Sequence, residues 1–340
     1  MKVPAEGPIL ARMKAVLFDG AGGPEVVRVG DAPSPTPARG EVLVRVRAAG
    51  LNRADLLQRR GQYAPPLGTR ADVPGLELAG EVVGAGGGVE GWRPGDRVMA
   101  IAPGEAQAEL AVVHERMLLR IPDRLSFEEA GALPEAGITA HDALFTLGAL
   151  RPGWTVLVHA IGSGVATIAL QLAKAAGATV IGTSRSEEKL ERCRALGLDH
   201  GILVPRDGPR FADEVRRLTG GRGVPLVVDF AGASYAQENV AALASRGVLL
   251  VVGTMGGADA RTDLRALMQK RASIVGTTLR MRPLEEQIAA TQAFGRDALP
   301  LVAAGRVVPI VDTVLPFDRA AEAHARLEQN DSFGKLVLRF

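Results

Sequence analysis

Residues 154–189, WTVLVHAIGSGVATIALQLAKAAGATVIGTSRSEEK, constrain the fold of this chain more than any other stretch. They read as a strand, a glycine turn, a helix, a second strand and the start of a second helix. Residues 155–159 form a short run rich in β-branched side chains, too short for a helix, while residues 165–176 carry apolar side chains at helical spacing. Between the two, Gly162, Ser163 and Gly164 make a turn whose backbone can approach a pyrophosphate. The phosphate charge would be held by the free N–H groups of the helix start, beginning at Val165. Ala166 stands where a third glycine is common, and only small size is needed there for helix–strand packing. A lone glycine turn says little. Here the next strand ends about 20 residues after the turn, where a ribose lies, and the stretch therefore reads as a dinucleotide site.

The end of that second strand selects the cofactor. NAD sites place an acid there to bind the ribose 2′-hydroxyl, and an acid would repel a 2′-phosphate. This chain has Ser184, Arg185 and Ser186, with Lys189 one turn further on. A guanidinium, an ammonium and two hydroxyls suit a phosphate dianion, so the expected cofactor is NADPH. Ser186 also suits the N-cap of the following helix, and capping would leave Arg185 and Lys189 solvated.

The chain of 340 residues has room for two cores, and 47% hydrophobic with 23% charged residues at a net charge of +2 describes a soluble globular protein. It has no run of like charges that would make a nucleic-acid arm. No apolar run approaches the roughly 18 residues of a membrane span. The N-terminus lacks the layout of a signal peptide, and the single cysteine, Cys193, allows no intramolecular disulfide; both point to the cytoplasm. Cys193 lies in a charged helix and reads as a packing residue. The five histidines show no metal-ligand spacing, so no metal site is expected.

Residues 1–12 read as a flexible leader, because the pattern restarts at Met13 like a first strand. Residues 13–134 carry short alternating strands separated by Gly and Pro, the texture of a partly open β-barrel. The glycine-rich segment GAGGGVEGWRPGDRV is followed by a strand and not by a helix, so it reads as a barrel turn. Over residues 135–272, strands alternate with short helices, which argues a doubly wound parallel-sheet Rossmann domain with ligands at the carboxyl ends of its strands. Those ends bring in Gly232, then Gly253, Thr254 and Met255, then Thr277, Thr278 and Leu279. Residues 273–340 begin with a sheet-edge strand and then return to the first domain.

With these elements in place, the chain from Met13 resembles a zinc-free medium-chain dehydrogenase/reductase of the quinone oxidoreductase branch, which includes zeta-crystallin and the tumour-suppressor-inducible quinone reductases. AGLNRADLLQRRGQYAPP at residues 49–66 carries most of the likeness. PGLELAG, LPEAGITAHDAL and the ending NDSFGKLVL match in place. The likeness implies a GroES-like barrel beside the Rossmann domain. Zinc members of the superfamily place a Cys and a His where this chain has Asn52 and Leu76, so no Lewis acid is expected. Without one, the easier acceptor is already electrophilic: a quinone or an activated alkene, in a metal-free cleft between the domains.

By resemblance, Asn52 and Tyr63 hydrogen-bond the acceptor oxygen as it gains charge, with Asp55 and Gln58 near the same face of a short helix. Asn52 equally suits a helix N-cap. Thr139 matches a threonine facing the cofactor, and Gly334 and Lys335 a terminal cofactor contact. The family's adenine-side tyrosine is missing, with Val204 the nearest match. Family members pair through their cofactor domains, so a homodimer is expected. The leading expectation is an NADPH-dependent quinone oxidoreductase. An NADPH-dependent 2-alkenal or enone double-bond reductase and a non-catalytic NADPH-binding protein on the same fold are the alternatives.

Overall fold

The computed structural model describes residues 11–66, 68–205 and 207–340. The chain divides into two compact units between Pro134 and Glu135. The first is completed by Val311–Asp331 and Lys335–Phe340, and the second runs on to Ile310 and includes Ser332–Gly334. Residues 273–310 thus stay with the second unit beyond the edge strand, where helix Leu284–Asp297 buries Ile288 and Phe294. Strand β1 (Arg12–Phe18) starts one residue ahead of Met13, and Arg12 pairs with Pro33. Residues 1–10 of the expected leader lie outside the described residues.

In the first unit β1 pairs antiparallel with β2 (Val27–Pro33). The remaining strands are β3 (Glu41–Gly50), β4 (Glu77–Ala85), β5 (Arg97–Ile101), β6 (Leu110–His114), β7 (Leu118–Arg120), β14 (Val311–Pro316) and β15 (Lys335–Arg339). They form a sheet in the order β14-β15-β3-β4-β5-β7, with β6 also on β3. The glycine-rich segment is the turn from β4 to β5, as its missing helical pattern predicts. Helix Arg53–Arg59 follows β3 directly, which places its start at the mouth of that strand.

The second unit holds β8 (Thr155–Val158), β9 (Thr179–Ser184), β10 (His200–Leu203), β11 (Val224–Asp229), β12 (Leu243–Val251) and β13 (Ser273–Gly276). Every neighbouring pair is parallel, and the order is β10-β9-β8-β11-β12-β13. Chain direction across the sheet reverses at β8, a switch point of the kind that leaves a crevice at the strand ends. Leu157, Ile181, Val204, Phe211 and Val227 share one core here. Cys193 is buried, its thiol 3.5 Å from the Ile161 carbonyl and pushed up to about 12 by burial, which suits packing and not nucleophilic chemistry. Among the described residues, no helix is long and apolar enough to cross a membrane.

A buried histidine in the first unit sets an acid response. His324, on helix Ala320–Gln329, lies edge-on to Phe18 at 5.5 Å, and its Nδ1 has no hydrogen-bond partner among the described residues. Burial first, and then the Arg59 guanidinium, push its pKa down to about 3 from 6.5. The folded ring stays neutral, so its contribution is complete above pH 6.5 and is lost as pH falls toward 3. By pH 4.5 that loss is about 2–3 kcal/mol. His324→Leu is therefore expected to flatten the fall in stability between about pH 7 and 4.5 by that amount, read from urea unfolding. An unchanged slope would remove His324 from the acid response.

Candidate functional site

The second unit gathers the glycine turn and the expected cofactor-side residues around the ends of its strands. After β8 the chain turns through Ala160, held at φ +48°, and reaches Gly162, Ser163 and Gly164. Helix Gly164–Ala175 starts there, and its Ser163 side chain makes no capping bond. The first-turn N–H groups therefore keep their outward donors, as a pyrophosphate requires. Buried Ala166 packs the helix on the sheet. The Gly162 carbonyl accepts the Gly334 N–H at 2.9 Å, and Gly334 sits at φ +93° with Ile310 where a Cβ would go. The terminal glycine thus shapes the turn through its backbone.

The strand ends nearby are registered by one directed chain of buried groups. The Asp229 carboxylate, at the end of β11, accepts the N–H groups of Ala231 and Gly232 and the Asn239 Nδ2 at 3.0 Å. Asn239 must then turn Oδ1 to His159 Nε2, 2.6 Å away, so that nitrogen carries the proton. His159 Nδ1 is left to accept the Thr183 hydroxyl at 2.8 Å. Burial pushes His159 down to about 4 and Asp229 up to about 6. Gly232, at φ +78°, lies against Gly257 and Thr254, so the Gly253, Thr254 and Met255 loop rests on it. Thr254 and Met255 are exposed.

At the end of β9, Ser184 is buried and its Oγ accepts the Ser186 N–H. Ser186 caps helix Glu187–Arg194, and Arg185 is exposed. Lys189 behaves otherwise than expected: its ammonium donates to the Ser332 carbonyl at 2.7 Å, and its stem packs on Gly162. Val204 is 1% exposed in the core and cannot face a base. The half-buried Tyr235 instead packs edge-on to His159 at 4.8 Å, and its hydroxyl feels the charge of Arg185. Sequence reading passed over Tyr235, His159, Asn239 and Arg282. Arg282 donates to Thr277 Oγ1, the Thr278 carbonyl and Asp142 Oδ2, tying the loop that ends in buried Leu279 to the π-helix Asp142–Leu147. That π-helix follows helix Pro134–His141, which carries half-buried Thr139.

The first unit carries the acceptor-side candidates. Asn52 is the N-cap of helix Arg53–Arg59, and its backbone N–H donates to Asp55 Oδ2 at 2.8 Å. Asp55 is fully buried and also receives Gln107 Nε2 at 3.3 Å, while Gln58 Nε2 donates to the Ala71 carbonyl. Asp55 and Gln58 thus orient the helix and the segment after it. Tyr63 lies half-buried in that segment. Lys335 enters the same cluster: its ammonium donates to Asn52 Oδ1, the Leu51 carbonyl and Glu77. Among the described residues, no group of three or more His, Cys, Asp or Glu side chains could hold a metal.

The pattern of the alcohol dehydrogenase GroES-like domain matches residues 38–123, and that of the zinc-binding dehydrogenases matches residues 164–294. The chain is similar to the synaptic vesicle membrane protein VAT-1 homolog of Rattus norvegicus, at 32% identity over 96% of this chain and 84% of that protein. It is similar in structure to an NAD-dependent alcohol dehydrogenase, with 37% identity, a TM-score of 0.84, and 96% and 100% of the two chains covered. The Escherichia coli quinone oxidoreductase complexed with NADPH superposes over 96% of this chain and 100% of its own, at 27% identity and a TM-score of 0.85.

Proposed function

Because the chain belongs to the zinc-free quinone oxidoreductase branch of the medium-chain dehydrogenase/reductase family, we propose that it is an NADPH-dependent quinone oxidoreductase of the cytoplasm. The observation that carries the cofactor choice is Arg185, exposed at the end of β9 directly after buried Ser184, where an NAD enzyme keeps an acid. The uncapped start of helix Gly164–Ala175 fits the pyrophosphate, and Tyr235, packed on His159 and Phe211, supplies an aromatic wall near the ends of the strands. A nicotinamide held there would supply the hydride for the acceptor. The chain's residues would bind and orient: the loop held by Arg282 would steady the nicotinamide end, and Asn52 and Tyr63 would offer N–H and O–H donors to the acceptor oxygen as it gains negative charge.

A donor that matters more as charge develops raises the maximal rate and not only affinity. Tyr63→Phe is therefore expected to lower kcat/KM for 1,4-benzoquinone by roughly tenfold, with NADPH affinity held. Acceptor turnover followed at the NADPH absorbance band, with benzoquinones against 2-alkenals and NADPH against NADH, tests the assignment. Faster turnover of alkenals would move the protein to the double-bond reductases. No turnover of either class, with NADPH still bound, would leave a binding protein.

We also propose a homodimer formed along β13. This edge strand is largely exposed; Ile274 within it, and Leu264, Met268 (76% exposed) and Met281 in the segments before and after it, are exposed as well. An open apolar edge pairs with a copy of itself most simply by closed two-fold symmetry. Light scattering should give a dimer mass, and the double substitution of Met268→Glu with Ile274→Lys should give a monomer. A monomer for the unaltered protein at micromolar concentration rules the interface out.

A further inference from the structure

Lys335 opens β15 and is 7% exposed, against a fully buried Glu77. Its Nζ lies 2.7 Å from the Leu51 carbonyl, 2.6 Å from Asn52 Oδ1 and 2.6 Å from Glu77 Oε1. An ammonium has three N–H donors and no acceptor, so these three oxygens use it completely. The backbone is shaped for the carboxylate. Gly50 ends β3 with Glu77 Oε1 and the Gly131 carbonyl where a Cβ would stand, so no larger residue fits without moving the acid.

This cage decides which way the Asn52 amide points. The ammonium can face only Oδ1, and the carboxylate can face only Nδ2, which donates to Glu77 Oε1 at 3.0 Å. Flipping the amide would set N–H against ammonium and oxygen against carboxylate inside a buried pocket, a doubly repulsive arrangement. One Nδ2 hydrogen is thus spent on Glu77. The other, among the described residues, reaches only the Gly50 carbonyl, at a weak 3.4 Å. It is the donor that an acceptor oxygen can recruit.

We propose that Lys335 and Glu77 are positioning residues that lock the Asn52 amide with its N–H toward the acceptor oxygen, and that Lys335 serves this role in place of a cofactor contact. The inference rests on the quinone oxidoreductase reading. It is tested on the full-length protein with Lys335→Met, Lys335→Ala and the charge-keeping Lys335→Arg. In the first two, kcat for benzoquinone per folded molecule should fall roughly tenfold or more while NADPH affinity stays within about twofold. Ethylammonium should restore turnover to Lys335→Ala, whose cage is vacated, and not to Lys335→Met, whose side chain fills it. Lys335→Arg, a planar fork in a tripod site, should fall between the two.

A second readout does not need turnover. The Asn52 side-chain amide signals, assigned by their loss in Asn52→Asp, should exchange slowly in the unaltered protein and rapidly in Lys335→Met. Unchanged exchange overturns the proposal. So does weakened NADPH binding with kcat preserved, which would make Lys335 a cofactor contact, or normal turnover per folded molecule with a lowered melting point, which would make it a structural ion pair. Should Lys335→Met not fold, exchange in Glu77→Gln decides, since that change keeps the shape and removes the charge that orients Nδ2. If the unaltered protein reduces no quinone but the exchange contrast holds, the function assignment fails and the locking of Asn52 stands.

Discussion

Arg185→Ala is expected to weaken NADPH binding by roughly ten- to a hundredfold and to leave NADH within about a factor of two, because a charge-assisted hydrogen bond is worth about 1.5–3 kcal/mol. Lys189 does not share the load equally. Its ammonium is directed to the Ser332 carbonyl and its stem packs on the glycine turn, so Arg185 is expected to carry most of the discrimination. Lys189→Ala should accordingly weaken both cofactors by similar, smaller factors, since it disturbs the turn that serves both. Titration of cofactor fluorescence on the two variants separates these roles. Equal losses of NADPH and NADH in Arg185→Ala would place the 2′-phosphate elsewhere.

Asn239→Leu should cost the second unit about 3 kcal/mol, since it leaves the His159 N–H without an acceptor and takes one donor from the Asp229 carboxylate. The loss should be larger above about pH 6, where Asp229 is ionised, than below it, where a protonated acid needs fewer donors. The two tryptophans make the measurement local: Trp154 lies in the second unit and Trp92 in the first. Urea unfolding followed by Trp154 in a Trp92→Phe background should show the shift. A midpoint moved by less than a tenth of that energy would mean that the chain of hydrogen bonds adds nothing to the fold.

The parallel sheet was legible in the sequence because its strands are mostly short apolar runs that alternate with helical periods. Periodicity reports burial on one element at a time. The glycine turn and the Ser184-Arg185 ending were therefore readable, being local. Contacts between residues far apart in the chain were not: Lys335 and Glu77 are brought together only by the pairing of β15 with β3 and of β3 with β4. The resemblance pointed to Lys335 as a cofactor contact, and the fold turns its ammonium inward. Tyr235 escaped for a related reason. It comes from the segment after β11, not from the one after β10 that holds Val204, and no spacing rule joins the two.

The placement of β15 also governs the order in which this protein can be made. It lies between β14 and β3 in the sheet of the first unit, yet about 200 residues, including the whole parallel sheet, are synthesised between the early strands and it. Until residues 335–339 emerge, Ala49 and Gly50 of β3 lack their β15 partners and Glu77 lacks the Lys335 ammonium. The nascent first unit is then an open sheet with a sticky seam, beside a second unit already able to fold. Loss of residues 335–340 would leave translation to end on that open seam, so such a truncation should accumulate as aggregate while its second unit remains native.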